Sequence, residues 1–328
     1  MKKYILIGFA IMFMTGCVAT RSPSPKPVVL DEIVDIRLPV GYIPNVQFAP
    51  LYVAIEKGYF ATENIHVTLD YSFETDAVAL LGAGELQFAI ASGEQVLLAR
   101  AQEIPIVYVL AWYQKYPVAV ASKAGHKILQ PDDLMRKSIG IPVLSGASYI
   151  GLKTILDAGG LTEEDVVLET IGFNQVEMLA TDQVEAVVVY VANEPVVLES
   201  QGYPVNLIRV DDYLELVSNG LVTNENTISE NPDLVKRMVR AILKGISDTI
   251  ANPEGAYQIS EIYVETLETA DEDIQMQVLS QSIELWKGPT LGFSDKTAWS
   301  NMLGVLRSMG LLKKDIDVSQ AFTNEYLP

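Results

Sequence analysis

Seven short stretches of this 328-residue chain set an aromatic ring or a carboxylate beside small or amide-bearing neighbours. They are Asn45 with Phe48 (and Tyr42 just before), Glu74, Ser92 with Glu94 and Gln95, Trp112 with Tyr113, Ser148 with Tyr149, Phe173 with Asn174, and Tyr190 with Asn193 and Glu194. Rings, amides and carboxylates together suit the capture of a flat heterocycle bearing hydroxyl or amino donors: faces for stacking and a few polar groups to fix orientation. No arginine belongs to the set, whereas a sulfonate or phosphate site commonly uses an arginine fork or converging helix N-termini. Helix starts at Ser92 and Ser148 leave an anion open, but the three carboxylates Glu74, Glu94 and Glu194 weigh against it. Core packing alone accounts for any one of these aromatics. Trp112, Tyr113 and Tyr116 within five positions argue for the group, and Ser92 serves equally as a helix N-cap or as a small residue admitting a ligand to backbone N–H groups.

Catalysis has little to work with. The chain has one cysteine, Cys17, and two histidines, His66 and His126. An internal disulfide and a cysteine metal site are therefore excluded, and both histidines fall in segments expected at the surface. No metal or cofactor is expected. A composition of 49% hydrophobic and 20% charged residues suits a globular protein, and its length suffices for two domains. The formal net charge is -19, or -21 once Lys2 and Lys3 are removed with a leader. Such a surface repels nucleic acid and anionic membranes, so no nucleic-acid partner is expected.

The elements that must position these residues follow one grammar. Val34–Leu38 alternates as a strand, a loop carries Tyr42, Pro44 and Asn45, and Phe48, Leu51, Tyr52 and Ile55 keep helical spacing up to Lys57-Gly58. Asn64–Asp70 forms the next strand, giving a βαβ unit. Further strands are expected at 86–90, 106–110, 118–121, 138–141, 166–170 and 185–190; those at 86–90, 138–141, 166–170 and 185–190 lead through small or polar residues into a helix, and 106–110 is followed by Trp112, Tyr113 and Tyr116. In parallel α/β sheets ligands bind beyond the carboxyl ends of the strands, and the seven stretches occupy those ends. After Asn231 the chain becomes helical, with Leu234, Val235, Met238, Val239, Ile242 and Leu243 as an apolar stripe.

The segments YIPNVQFAPLYVAIEKGYF, GAGELQFAIASGEQ and DDL…KSIGIP resemble the substrate-binding proteins of ABC importers, in the group that includes binders of thiamine-precursor pyrimidines, alkanesulfonates and riboflavin. The resemblance covers roughly Asp31 to Ala251. GASYIGL, IGFNQVE and NEPVVL are most similar to the riboflavin-binding lipoproteins of that group. It implies a two-lobed α/β fold of the type II periplasmic-binding-protein kind, with two parallel or mixed sheets flanked by helices and a ligand cleft between the lobes. Lobe I is then 31–117 plus 220–328 and lobe II 118–219, with crossings near Tyr116-Pro117 and Ser218-Asn219-Gly220. The implied ligand is riboflavin, with an aminopyrimidine thiamine precursor as the alternative and an alkanesulfonate behind both. The implied partner is an ABC permease, to which a monomer delivers its ligand. Fungal pyrimidine synthases resemble the same group but require a cysteine-rich motif, a histidine and a pyridoxal-bearing lysine. Here no cysteine follows Cys17, and Lys115 is the only lysine in the expected cleft loops. A sensor domain acting through a membrane partner is a third reading.

Lys2-Lys3, the apolar run Tyr4–Gly16 and Met14-Thr15-Gly16-Cys17 resemble a lipoprotein leader, although Leu is usual where Met14 stands. The run is shorter than the ~20 residues of a spanning helix. Residues 1–17 are thus expected as signal peptide, Cys17 as the lipidated residue, and 18–30, Ser/Pro-rich, as a tether on the extracytoplasmic face of the cell membrane.

Overall fold

The computed structural model describes residues 33–328 together with Met1. The expected signal peptide, lipidated Cys17 and tether lie outside the described residues. Residues 33–328 form one compact unit.

The first lobe is built on five strands. β1 (Val34–Pro39) and β2 (Ile65–Asp70) pair in parallel, with Val34 opposite Ile65 and Pro39 opposite Asp70. β3 (Phe88–Ser92) and β4 (Ile106–Ala111) flank β10 (Asn219–Asn224), which runs antiparallel to both. Every residue of β3 and β4 is buried, so these strands show no polar alternation. Gly220 is required where β10 enters between them: a Cβ there would stand 2.2 Å from the Leu110 carbonyl and from the Tyr108 ring.

The second lobe is a five-stranded mixed sheet in the order β7-β6-β8-β5-β9, formed by β5 (Val118–Lys123), β6 (Ser138–Ile141), β7 (Val167–Thr170), β8 (Ala186–Tyr190) and β9 (Val205–Arg209). β6 runs parallel to β7 and β8, while β5 is antiparallel to β8 and β9. The fold class is therefore the two-lobed, mixed-sheet periplasmic-binding architecture expected from the sequence. The first lobe divides into a parallel pair and an antiparallel trio because β10 returns to it from the second.

The helix Pro232–Ala251 starts with Asn231 Oδ1 accepting the Leu234 N–H at 3.0 Å and proline in the first turn. Its stripe is buried as the spacing predicts, and it packs on the helix Ala49–Glu56. Gly245 permits the close crossing, since a Cβ there would meet the Pro50 carbonyl at 2.1 Å. Trp286 and Trp299 are fully buried, whereas Phe293 is exposed. Among the described residues no helix is long and apolar enough to cross a membrane.

Candidate functional site

The ends of β1, β2, β3, β4, β6, β7 and β8, and the start of β10, converge on one cleft enclosing about 1080 Å³ out to its open mouth. Each junction contributes in its own way. After β1, the Asn45 side chain accepts the Gln47 N–H at 2.9 Å and fixes a short turn that brings Gln47 and Phe48 to the cleft. After β2, Glu74 opens the helix Glu74–Gly82. After β4, Trp112 and Tyr113 form a wall, their N–H groups both donating to the Asn219 carbonyl. The helix Gly146–Ala158 brings Ser148 to the opposite side, and the helix Glu194–Ser200 brings Asn193 and Glu194.

The rings hold one another edge to face. Phe48 and Trp112 centroids lie 6.3 Å apart at 86°, Trp112 stands against the buried Trp286 at 6.1 Å, and Tyr113 meets Tyr190 at 6.2 Å. From the first lobe, Tyr42 meets Phe173 of the second at 4.8 Å and 88°. Edge-to-face contacts leave other ring faces free for a planar guest. Tyr190 Oη donates to Asn219 Oδ1 at 3.0 Å, tying β8 to the start of β10.

Two carboxylates border the cleft. Glu194 is 7% exposed; its Oε2 accepts the Tyr190 N–H at 3.0 Å, and its Oε1 accepts weakly from Gln175 Nε2 and Asn193 Nδ2 at 3.4 Å each. Burial pushes its pKa up to about 7, against the pull of those N–H groups. Glu74 accepts the Ser92 N–H at 2.7 Å and contacts the Ser92 hydroxyl. Burial raises its pKa as well. The lining residues include no lysine, arginine or histidine. Among the described residues no three His, Cys, Asp or Glu side chains are grouped to hold a metal.

Of the residues expected at the site, Phe48, Glu74, Trp112, Tyr113, Ser148, Phe173, Tyr190, Asn193 and Glu194 line this cleft. Five do not. Asn45 shapes its turn rather than facing a guest. Ser92 and Glu94 are fully buried behind Glu74. Tyr149 lies one residue beyond Ser148 on a helix, hence roughly 100° around it, and its hydroxyl donates to Glu163 Oε1 at 2.5 Å. Asn174 is exposed and closes its own turn, with Nδ2 donating to the Ile171 carbonyl at 2.9 Å; the next residue, Gln175, points inward instead. Gln47, Gln175 and Asn219 border the cleft without having been expected there. Gln47 is 6% exposed and its Nε2 has no partner.

The sequence profile of the family described as "NMT1/THI5 like" matches residues 45–256. A riboflavin-binding protein, RibY, of Chloroflexus aurantiacus is 38% identical, over 97% of this chain and 95% of its own. A formylaminopyrimidine-binding protein of Halalkalibacterium halodurans is 27% identical over 98% of both. Among solved structures, the alkanesulfonate-binding protein SsuA of Xanthomonas axonopodis pv. citri, bound to MOPS, superposes with a TM-score of 0.70 at 13% identity. That alignment covers 89% of this chain and 99% of the other, a likeness of fold.

Proposed function

The chain belongs to the NMT1/THI5-like family, and from that premise we propose that it is a solute-binding protein that captures a flat heterocyclic vitamin, riboflavin, and delivers it to a membrane permease. The observation that carries this reading is the cleft itself: aromatic rings at Phe48, Trp112, Tyr113 and Tyr190, carboxyl acceptors at Glu74 and Glu194, and no cationic side chain in the lining. Such a lining favours a neutral, donor-bearing heterocycle over a sulfonate. The 38% identity to a riboflavin-binding relative supports the choice of vitamin.

Glu194 favours one second reading. A buried carboxylate suits the exocyclic amino group of an aminopyrimidine, and the 27% identical relative binds a formylaminopyrimidine. No chemistry is performed on the guest: the lining offers neither a lysine for pyridoxal nor a thiol. We place the lobe boundaries at 31–117 plus 220–328 and at 118–219, and the working protein as a monomer anchored through Cys17 outside the membrane. Titrating riboflavin while following flavin fluorescence tests the reading. Strong quenching that Trp112→Phe weakens is expected. Absence of quenching, with heat released on adding formylaminopyrimidine, replaces riboflavin by the pyrimidine. A Schiff-base absorption band on adding pyridoxal phosphate overturns the non-catalytic role.

A further inference from the structure

Behind the cleft wall, Ser92 Oγ lies within hydrogen-bonding distance of both Glu74 Oε1 and Glu94 Oε1. A serine hydroxyl has a single proton to donate. With both acids ionised, one of these two contacts would set lone pair against lone pair. One acid must therefore carry a proton and donate it to Ser92 Oγ. Glu74 already accepts the Ser92 N–H at 2.7 Å, which suits the anion. Glu94 is fully buried and its Oε2 has no partner, which suits the neutral acid, because an uncompensated buried charge is far costlier than an idle carbonyl.

The surroundings agree. The ionisable groups facing Glu94 are Glu74 from its helix, Tyr108 from β4, Tyr116 between β4 and β5, and Tyr190 from β8. None of them is a cation, and among the described residues no salt bridge reaches either acid. Burial first, and then the Glu74 charge, push the Glu94 pKa up to about 8. A separate observation marks the cleft as a place for a guest: Gln47, more than nine-tenths buried in the lining, keeps an unpartnered Nε2 donor.

We propose that Glu74, Ser92 and Glu94 hold one proton between two carboxyl groups, with Glu94 as a neutral positioning acid that fixes the Glu74 carboxylate as the acceptor for a ligand N–H or O–H. The inference deepens the proposed function and rests on the cleft being the ligand site. Selectivity follows: a guest must bring a donor to Glu74 and is favoured if it also offers an acceptor to Gln47. Loss of the shared proton sets two anions on one hydroxyl and displaces Glu74 from its acceptor position.

Two measurements test this. Infrared spectroscopy of the ligand-free protein at neutral pH reads the proton directly. A protonated-carboxyl band is expected that vanishes in Glu94→Gln and persists in Glu194→Gln; absence of a Glu94-dependent band overturns the proposal. The second is riboflavin affinity between pH 7 and pH 9. A required proton with a pKa near 8 is about nine-tenths lost at pH 9, a tenfold loss offset about twofold as Glu194, with a pKa of about 7, completes its ionisation, so wild-type affinity falls about fivefold over that range. Glu94→Gln, which cannot ionise, removes the fall, and Glu74→Gln weakens binding at every pH. A fall that persists in Glu94→Gln overturns the proposal. If the wild type does not bind riboflavin, the infrared result decides alone, and the failure belongs to the choice of vitamin.

Discussion

On the proposed reading, Glu194 sets the acid side of ligand binding, since it lines the cleft with a pKa pushed up to about 7. A guest that donates to it binds the ionised form, so protons compete with ligand. The direction follows from the raised pKa: the carboxylate is intact above 7 and is lost as pH falls below it. With a competent fraction of about one in eleven at pH 6 and one in a hundred at pH 5, the apparent Kd rises about tenfold and then about 100-fold above its value in a fully ionised cleft. The perturbation that isolates the effect is Glu194→Gln, which keeps the size of the side chain and removes its titration. The variant is expected to bind roughly 10- to 100-fold more weakly at pH 8, the worth of a hydrogen bond to a charged acceptor, and to show no acid fall. Flavin fluorescence titrations from pH 5 to pH 8 give the profile, with circular dichroism at each pH to confirm folding. A wild-type Kd flat across this range, or a slope that survives in Glu194→Gln, refutes the assignment of Glu194 as the ligand's acceptor.

Phe48 is partly exposed in the cleft and lies 6.3 Å from Trp112; Phe48→Leu removes a stacking face worth about 0.5–1.5 kcal/mol and is expected to weaken riboflavin by roughly 2- to 10-fold with little change in thermal midpoint. Tyr149 is committed to Glu163 outside the cleft, so Tyr149→Phe should leave riboflavin affinity within about twofold of wild type by the same titration. Gly220→Ala forces a Cβ to 2.2 Å from the Leu110 carbonyl; a loss on the order of 1–3 kcal/mol is expected in urea unfolding.

Much of the fold was legible because the chain repeats one local rule. Several buried strands end in a small or polar residue after which a helix begins, as at Ser92, and the helix Pro232–Ala251 announces itself through Asn231, Pro232 and its stripe. The pairing of β10 between β3 and β4 was not legible. Asn219–Asn224 is short, and its two antiparallel ladders join segments more than a hundred residues away. Only Gly220 hinted at a close approach, and a lone glycine in a strand is read as readily as a bend or a crossing.

The site was legible to the junction but not to the residue. Strand ends locate the cleft, yet which side chain turns inward depends on one step of helical rotation or one turn bond. Ser148 faces the cleft and Tyr149 does not; Gln175 points inward and Asn174 closes a turn; Asn45 is spent on the Gln47 N–H, and Gln47 itself becomes the buried donor. Glu94 illustrates a deeper limit. A carboxylate beside a helix start has the composition of a binding residue, but tertiary burial converts it into a neutral acid that acts through Ser92 on Glu74. Sequence spacing separates Glu74 from Glu94 by twenty positions and cannot show that one hydroxyl contacts both. That contact is a product of β3 delivering Ser92 against the start of the helix Glu74–Gly82. The chemistry of the cleft therefore lies less in which residues are present than in which of them water can no longer reach.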